Sequence, residues 1–347
     1  MELQFTRRDF LEGSIVVALG AAGMGALSSC ASAPAASSGA ASAAETAGAA
    51  DATTSVTLHR GYGAAHGDKC FTRAVVATAD DGTILAVSVD DYQFTAVDSG
   101  MVGVPNSDAG FAAGYAEGQM LMSKAQNNEA YSAMMKEKVQ STKPWLTSMT
   151  AIEEYCVGKK PADLKKAGID TVSGATLVDA PNYLKLVSEV AESGDLTTLG
   201  SYTGDGSDVK LGQVNAAAHG DKAFAEAVSL VQGDVLVAAS IDEFQFMDAS
   251  TAGLVPVPNS DAAFADGYAE GVELASKSVN SAVYSDMMKE KAQATTPWLT
   301  SMSAIESFLA GQKIADVKVK GPDAVSGATL VDTVGYVDAA VAAAKAV

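Results

Sequence analysis

The stretch Asp170-Thr171-Val172-Ser173-Gly174-Ala175-Thr176-Leu177-Val178-Asp179 returns 153 positions later as Asp323-Ala324-Val325-Ser326-Gly327-Ala328-Thr329-Leu330-Val331-Asp332. Its neighbours return with it. Ala-His-Gly-Asp-Lys runs from Ala65 and from Ala218, Val-Pro-Asn-Ser-Asp from Val104 and Val257, and Pro-Trp-Leu-Thr-Ser-Met from Pro144 and Pro297. Two copies carrying the same order of segments must fold alike, and each must present the same loop.

Within each copy the pattern is mixed. Residues 55–65, 71–79 and 83–95 cluster or alternate β-formers, with Asp80-Asp81-Gly82 as the hairpin turn between the last two. The second copy repeats this at 214–218, 223–231 and 235–247, with the turn at Gln232-Gly233-Asp234. Phe111, Tyr115 and Met122, at spacings of four and seven, predict a helix after the Pro105 segment, as do Phe264 and Tyr268 in the second copy. Tyr131, Met134, Met135 and Val139 predict a second helix, Trp145 to Val157 a third ended by Gly158, and Leu177 to about Glu192 a fourth. The expected class is α+β: two homologous domains, each an antiparallel sheet packed with helices, over 56–192 and 209–347. The Gly/Ser/Asp/Thr-rich residues 193–208 read as the linker, and the two domains as separable modules.

Residues 1–29 read as an export signal: Thr6-Arg7-Arg8-Asp9-Phe10-Leu11 resembles a twin-arginine motif and is followed by an uncharged Ala/Gly-rich run to Ser29. Leu27-Ser28-Ser29-Cys30 resembles a lipobox, which implies lipid attachment at Cys30 and an extracytoplasmic, lipid-anchored chain. Residues 30–55 are Ala/Ser-rich, a tether rather than a domain. A net charge of -19, from 23 basic and 42 acidic residues, argues against nucleic acid as a partner. No cluster at metal-ligand spacing is evident. Cys70 and Cys156 meet Ala223 and Leu309 in the other copy, which favours two buried thiols; an exported chain also leaves a Cys70–Cys156 bridge open.

The repeated loop admits two readings. Thr-x-x-Asp before an apolar run is a capping-box-like pattern, so Thr176 and Thr329 can cap their helices. A small flexible loop at a helix start can also take a phosphate, through free N–H groups and the helix dipole. Asp-x-x-Ser-Gly-Ala-Thr resembles the flavinylation signature of the FMN-binding domain family. Nearly everything after Val56 is similar to the tandem-FMN surface lipoproteins of Gram-positive extracellular electron transfer, though such lipoproteins commonly use the general secretion route.

The resemblance implies two FMN groups in phosphoester linkage to Thr176 and Thr329. Asp170, Ser173, Gly174 and Ala175, and Asp323, Ser326, Gly327 and Ala328, would form the binding loops. It implies as partners a flavin transferase using FAD, a membrane or surface electron donor, an external electron acceptor, and the membrane through the lipid anchor. An electron carrier is expected rather than a substrate-specific reductase, since no acid, base or nucleophile stands out. The alternative is a lipoprotein module that binds a small anion without redox chemistry.

His66 and His219, with Lys69 and Lys222, are candidate donors to a reduced flavin or plain turn formers. His59 meets Gly212 and reads as incidental. Trp145, Trp298, Tyr92, Phe94, Phe244 and Phe246 are candidate ring-shielding residues or core, and Met134-Met135 and Met287-Met288 read as core.

Overall fold

The computed structural model describes residues 53–166, 172, 175, 177–321 and 325–347. The expected mixed α+β class is found, built on two five-stranded antiparallel sheets. The first is ordered β4 (Gln119–Ser123), β3 (Ile84–Ala96), β2 (Cys70–Ala79), β1 (Thr53–Gly63), β5 (Thr197–Thr203). The second runs β8 (Val235–Asp248), β7 (Ala223–Gln232), β6 (Lys210–Ala216), with β9 (Val272–Ser276) and the short β10 (Gln312–Lys313) both pairing with β8. The hairpins close where the Asp-Gly and Gly-Asp turns predict, with Gly82 and Gly233 at positive φ. β2 and β7 are buried over nearly their whole length, as strands covered on both faces must be.

One covering layer is helical. α4 (Ala180–Glu192) lies on β1 and β2, and α7 (Thr333–Lys345) on β6 and β7. α1 (Asn128–Val139) and α2 (Trp145–Cys156), with α5 (Ser281–Ala292) and α6 (Trp298–Leu309) as their counterparts, complete each copy's own core; α3 (Pro161–Leu164) is a single turn. No helix among the described residues is long and apolar enough to cross a membrane.

The other layer is the partner repeat, and here three expectations are corrected. The Phe111/Tyr115 and Phe264/Tyr268 segments are not long helices: each is a five-residue 3-10 turn (Gly110–Gly114, Ala263–Gly267), and Met122 belongs to β4. The four-residue spacing instead sends the rings into the opposite repeat. Phe111 accompanies Phe224 and Phe246, while Phe264 accompanies Phe71 and Phe94. The exchange is reciprocal: Phe111 N–H donates to the Asp221 carbonyl (2.7 Å), Phe264 N–H to that of Asp68 (2.8 Å), and Tyr115 bridges Tyr268. Asn106 and Asn259, both at positive φ, donate across to the Ala223 and Cys70 carbonyls at 2.7 Å each.

Residues 193–208 are likewise no simple linker. They contain β5, whose Thr197–Thr203 pair with His59–Thr53 at the edge of the first sheet. Two cores are therefore shared. One is aromatic (Phe71, Tyr92, Phe111, Phe224, Phe244, Phe264), the other aliphatic (Val56, Leu58, Val75 with Val228, Leu230, Val237). Thr53–Val347 form one compact unit, not two modules.

Gly114 and Gly267 make this approach possible. A Cβ on Gly114 would stand 2.1 Å from the Phe246 ring, and one on Gly267 2.1 Å from Phe94. Gly114→Ala is expected to cost about 1–3 kcal/mol by overpacking, read as a lower midpoint in urea unfolding; an unchanged midpoint would show that the ring has room to yield.

At the centre of the interface lie buried charges. Arg60, Arg73 and Glu226 are 2%, 0% and 1% exposed. Arg60 is paired with Glu226, and Arg73 with Glu226 at 2.6 Å. The repeat places Arg60 opposite Gln213 and Arg73 opposite Glu226. Arg73 indeed bonds Gln213 just as Arg60 bonds Glu226, so the contacts obey a local two-fold while the charges do not.

Candidate functional site

The repeated loop can be followed in the second copy. Ser326 and Gly327 form a turn, with Gly327 at φ +89, and the Ala328 N–H donates to the Val325 carbonyl at 3.1 Å. Ala328 is buried, which anchors the loop, while Thr329 after it is exposed. Its Oγ1 lies 3.4 Å from Ser301 Oγ, and its N–H donates to the same oxygen at 3.3 Å. Ser301 is in the first turn of α6, so the loop leans on that turn. Ala175 occupies the equivalent place in the first copy, its N–H donating to the Val172 carbonyl at 3.4 Å. Asp170, Ser173, Gly174, Thr176, Asp323 and Cys30 lie outside the described residues.

Capping does not account for this threonine. α7 starts at Thr333 and α4 at Ala180, three residues later than the pattern predicts, and neither has a side-chain cap. The Asp of Thr-x-x-Asp instead holds a histidine. Asp332 Oδ2 is 2.6 Å from His219 Nδ1, and Asp179 Oδ2 is 2.9 Å from His66 Nδ1. Each imidazole lies along a tyrosine of the helix: His66 and Tyr183 at 6.3 Å and 22°, His219 and Tyr336 at 6.5 Å and 13°. Burial, opposed by its carboxylate neighbours, lowers the His66 pKa.

Behind each tyrosine is a buried lysine that the pattern reading missed. Lys124 meets Asp91 at 3.1 Å, and Lys277 meets Glu243 at 3.1 Å, all four side chains wholly buried. The Tyr183 hydroxyl donates to Asp91 at 2.5 Å and that of Tyr336 to Glu243. Each ammonium also lies over a ring, Tyr131 at 5.0 Å and Tyr284 at 4.4 Å. Burial works against the Lys124 cation, but Asp91, Cys70 and Tyr131 together outweigh it and the pKa is raised. The available signal was a Ser-Lys pair recurring at Ser123 and Ser276, 153 residues apart. Lys69 and Lys222, the predicted cations, are exposed instead.

The other candidates sort clearly. Tyr92, Phe94, Phe244 and Phe246 belong to the inter-repeat aromatic cluster. Trp145 and Trp298 open α2 and α6 and are buried, and the Trp145 indole N–H has no acceptor among the described residues. Cys70 and Cys156 are free and buried, with no bridge between them. His59 is a strut from the Ser193 carbonyl (2.7 Å) to Thr78 Oγ1 (2.9 Å). Val178 and Val331, two residues after the threonines, are 73% and 76% exposed. Each loop thus carries a bare apolar side chain two positions after its threonine in the sequence.

Three carboxyl groups outside the loops retain protons unusually well. Burial pushes Asp90 up to about 6, Glu306 to about 7 and Glu153 to about 8. Above the ordinary carboxylate range, roughly pH 4, the unfolded chain releases protons that the folded one keeps, so stability falls as pH rises towards 8. The melting temperature is expected to decline from pH 5 to pH 8 and Glu306→Gln to flatten that decline; a melting temperature that rises over this range would contradict the assignment.

Comparison with protein-family models, curated proteins and solved structures gives no match for this chain.

Proposed function

We propose that the protein is an extracytoplasmic, lipid-anchored flavoprotein that relays electrons through two covalently bound FMN groups, on Thr176 and Thr329, to an external acceptor or partner reductase. The observation that carries this reading is the exposed residue Thr329 on a loop pinned to α6, near the exposed Val331. A transferase needs an accessible nucleophilic hydroxyl, and a flavin ring needs an apolar surface to lie on. The site as described fits the group: an exposed threonine held on a pinned loop, with uncovered apolar surface beside it.

When bound, FMN supplies reversible one- and two-electron transfer. The chain's own residues hold and tune its surroundings. Ser301 fixes the Thr329 backbone and hydroxyl together, and Asp332 and Asp179 orient His219 and His66. The buried ion pairs Lys277–Glu243 and Lys124–Asp91 hold Tyr336 and Tyr183 through their hydroxyls. Partners on this reading are an FAD-using flavin transferase, a membrane or surface donor and an outer acceptor, with Cys30 carrying the lipid.

Thr329→Val keeps the branched shape and deletes the hydroxyl. In protein produced with the transferase it is expected to halve the flavin that survives denaturation, as is Thr176→Val, while the double variant carries none and stays folded. Thr→Ser restores a hydroxyl and is the control. Full flavin on the double variant would place the attachment elsewhere; no flavin on the unaltered protein would favour the anion-binding module.

A further inference from the structure

The two repeats carry equivalent grooves beside α2 and α6, and only one is filled. In the second repeat the start of β5 crosses the groove. Thr198 Oγ1 donates to Glu306 Oε2 at 3.1 Å, while Glu306 Oε1 accepts from Ile241 N–H at 2.8 Å. What remains is a cavity of about 100 Å³. In the first repeat Glu153 Oε1 accepts from Val89 N–H at 2.8 Å in the same way. No hydroxyl answers Glu153 there among the described residues, and the groove opens to about 450 Å³.

The linings correspond. Ser88, Val89, Leu146 and Glu153 in the first repeat stand where Ser240, Ile241, Leu299 and Glu306 stand in the second. The strand edges correspond too. β1 is covered by β5, with Arg60 N–H donating to the Leu196 carbonyl at 2.9 Å. β6, which carries the equivalent Gln213, is the edge of its sheet with nothing paired beyond it among the described residues.

We propose that the first-repeat groove binds an extended segment of a partner protein, added antiparallel to the free edge of β6 as β5 adds to β1. The edge supplies main-chain hydrogen bonds and the groove reads alternate side chains. β5 defines the chemistry of the segment. Thr198 and Tyr202 are its buried positions, and Gly200 between them lies so near β8 that a Cβ would stand 2.3 Å from the Val237 carbonyl oxygen. The partner segment therefore reads Thr-x-Gly-x-Tyr or close to it, with the Thr hydroxyl donating to Glu153. This reading is independent of whether the loops carry flavin.

The probe is a fluorescein-labelled peptide with the sequence of residues 195–203, titrated against the whole protein. Saturable one-to-one binding is expected in fluorescence anisotropy, weakened about tenfold when the Thr198 position of the peptide is Val. Leu146→Glu in the protein, a half-exposed helix position that can change without unfolding, is expected to abolish it. Hydrogen exchange on the unaltered protein should slow at Leu211 and Gln213 when the peptide is added. No saturation, binding indifferent to Leu146→Glu, or protection that falls on β1 instead of β6 would each overturn the proposal.

Discussion

Glu226→Ala is expected to be the most damaging single substitution outside the aromatic core, costing about 3–5 kcal/mol and lowering the melting temperature on the order of 10 °C. Glu226 is the acid for two guanidinium groups, Arg60 and Arg73, and all three are buried. Removing it strands two cations where water cannot reach them. The remaining hydrogen bonds, Arg60 to Ser240 and Arg73 to Ser88 and Gln213, are to neutral groups, and the buried Asp242 and Asp90 carboxylates offset the two charges without pairing directly with either guanidinium. Glu226→Gln keeps an acceptor without the charge and should fall between the two. Urea midpoints at pH 7 measure this; a loss for Glu226→Ala below about 1 kcal/mol, the range of exposed pairs, would mean that the arginines are hydrated in solution.

The second large effect concerns cutting the chain. Fragments 53–204 and 205–347, divided in the exposed turn after β5, are expected to be unfolded or aggregated alone and to form a one-to-one complex when mixed. Each alone exposes half of the aromatic cluster and half of the aliphatic one. Self-pairing through the same local two-fold is blocked by charge. Two first repeats would bury four arginines with no acid among Arg60, Arg73 and their copies, and two second repeats would bring two Glu226 together with no base. Only the unlike pair sets a carboxylate between the two guanidinium groups. Size-exclusion chromatography with light scattering distinguishes the outcomes; a folded, monomeric single fragment would contradict the shared-core account.

The repeat, the central strands and helices α1 and α2 with their counterparts were legible from local pattern, since alternation, Asp-Gly turns and apolar spacing act within one segment. The 3-10 turns were not. Phe111 and Tyr115 have helical spacing, yet their burial is supplied by Phe246 and Tyr268, which lie more than a hundred residues away. β5 was hidden because an edge strand needs few apolar residues: only Thr198 and Tyr202 of its seven residues are buried. The charges at the interface carry no local signal, since Arg60 and Glu226 are separated by 166 positions. Of the site, the loop and both histidines were legible by recurrence. The role of Asp179 and Asp332 was not, because Thr-x-x-Asp describes a cap equally well until the helix start is located three residues further on.

The two recurrent threonines are proposed above as the attachment points of FMN. The direct measurement is the intact mass, after denaturation, of protein produced with an FAD-using flavin transferase. The expected result is the chain plus two FMN groups in phosphoester linkage, one lost with Thr176→Val and one with Thr329→Val. A chain mass with no FMN added, or two additions that persist in the double Val variant, would contradict it.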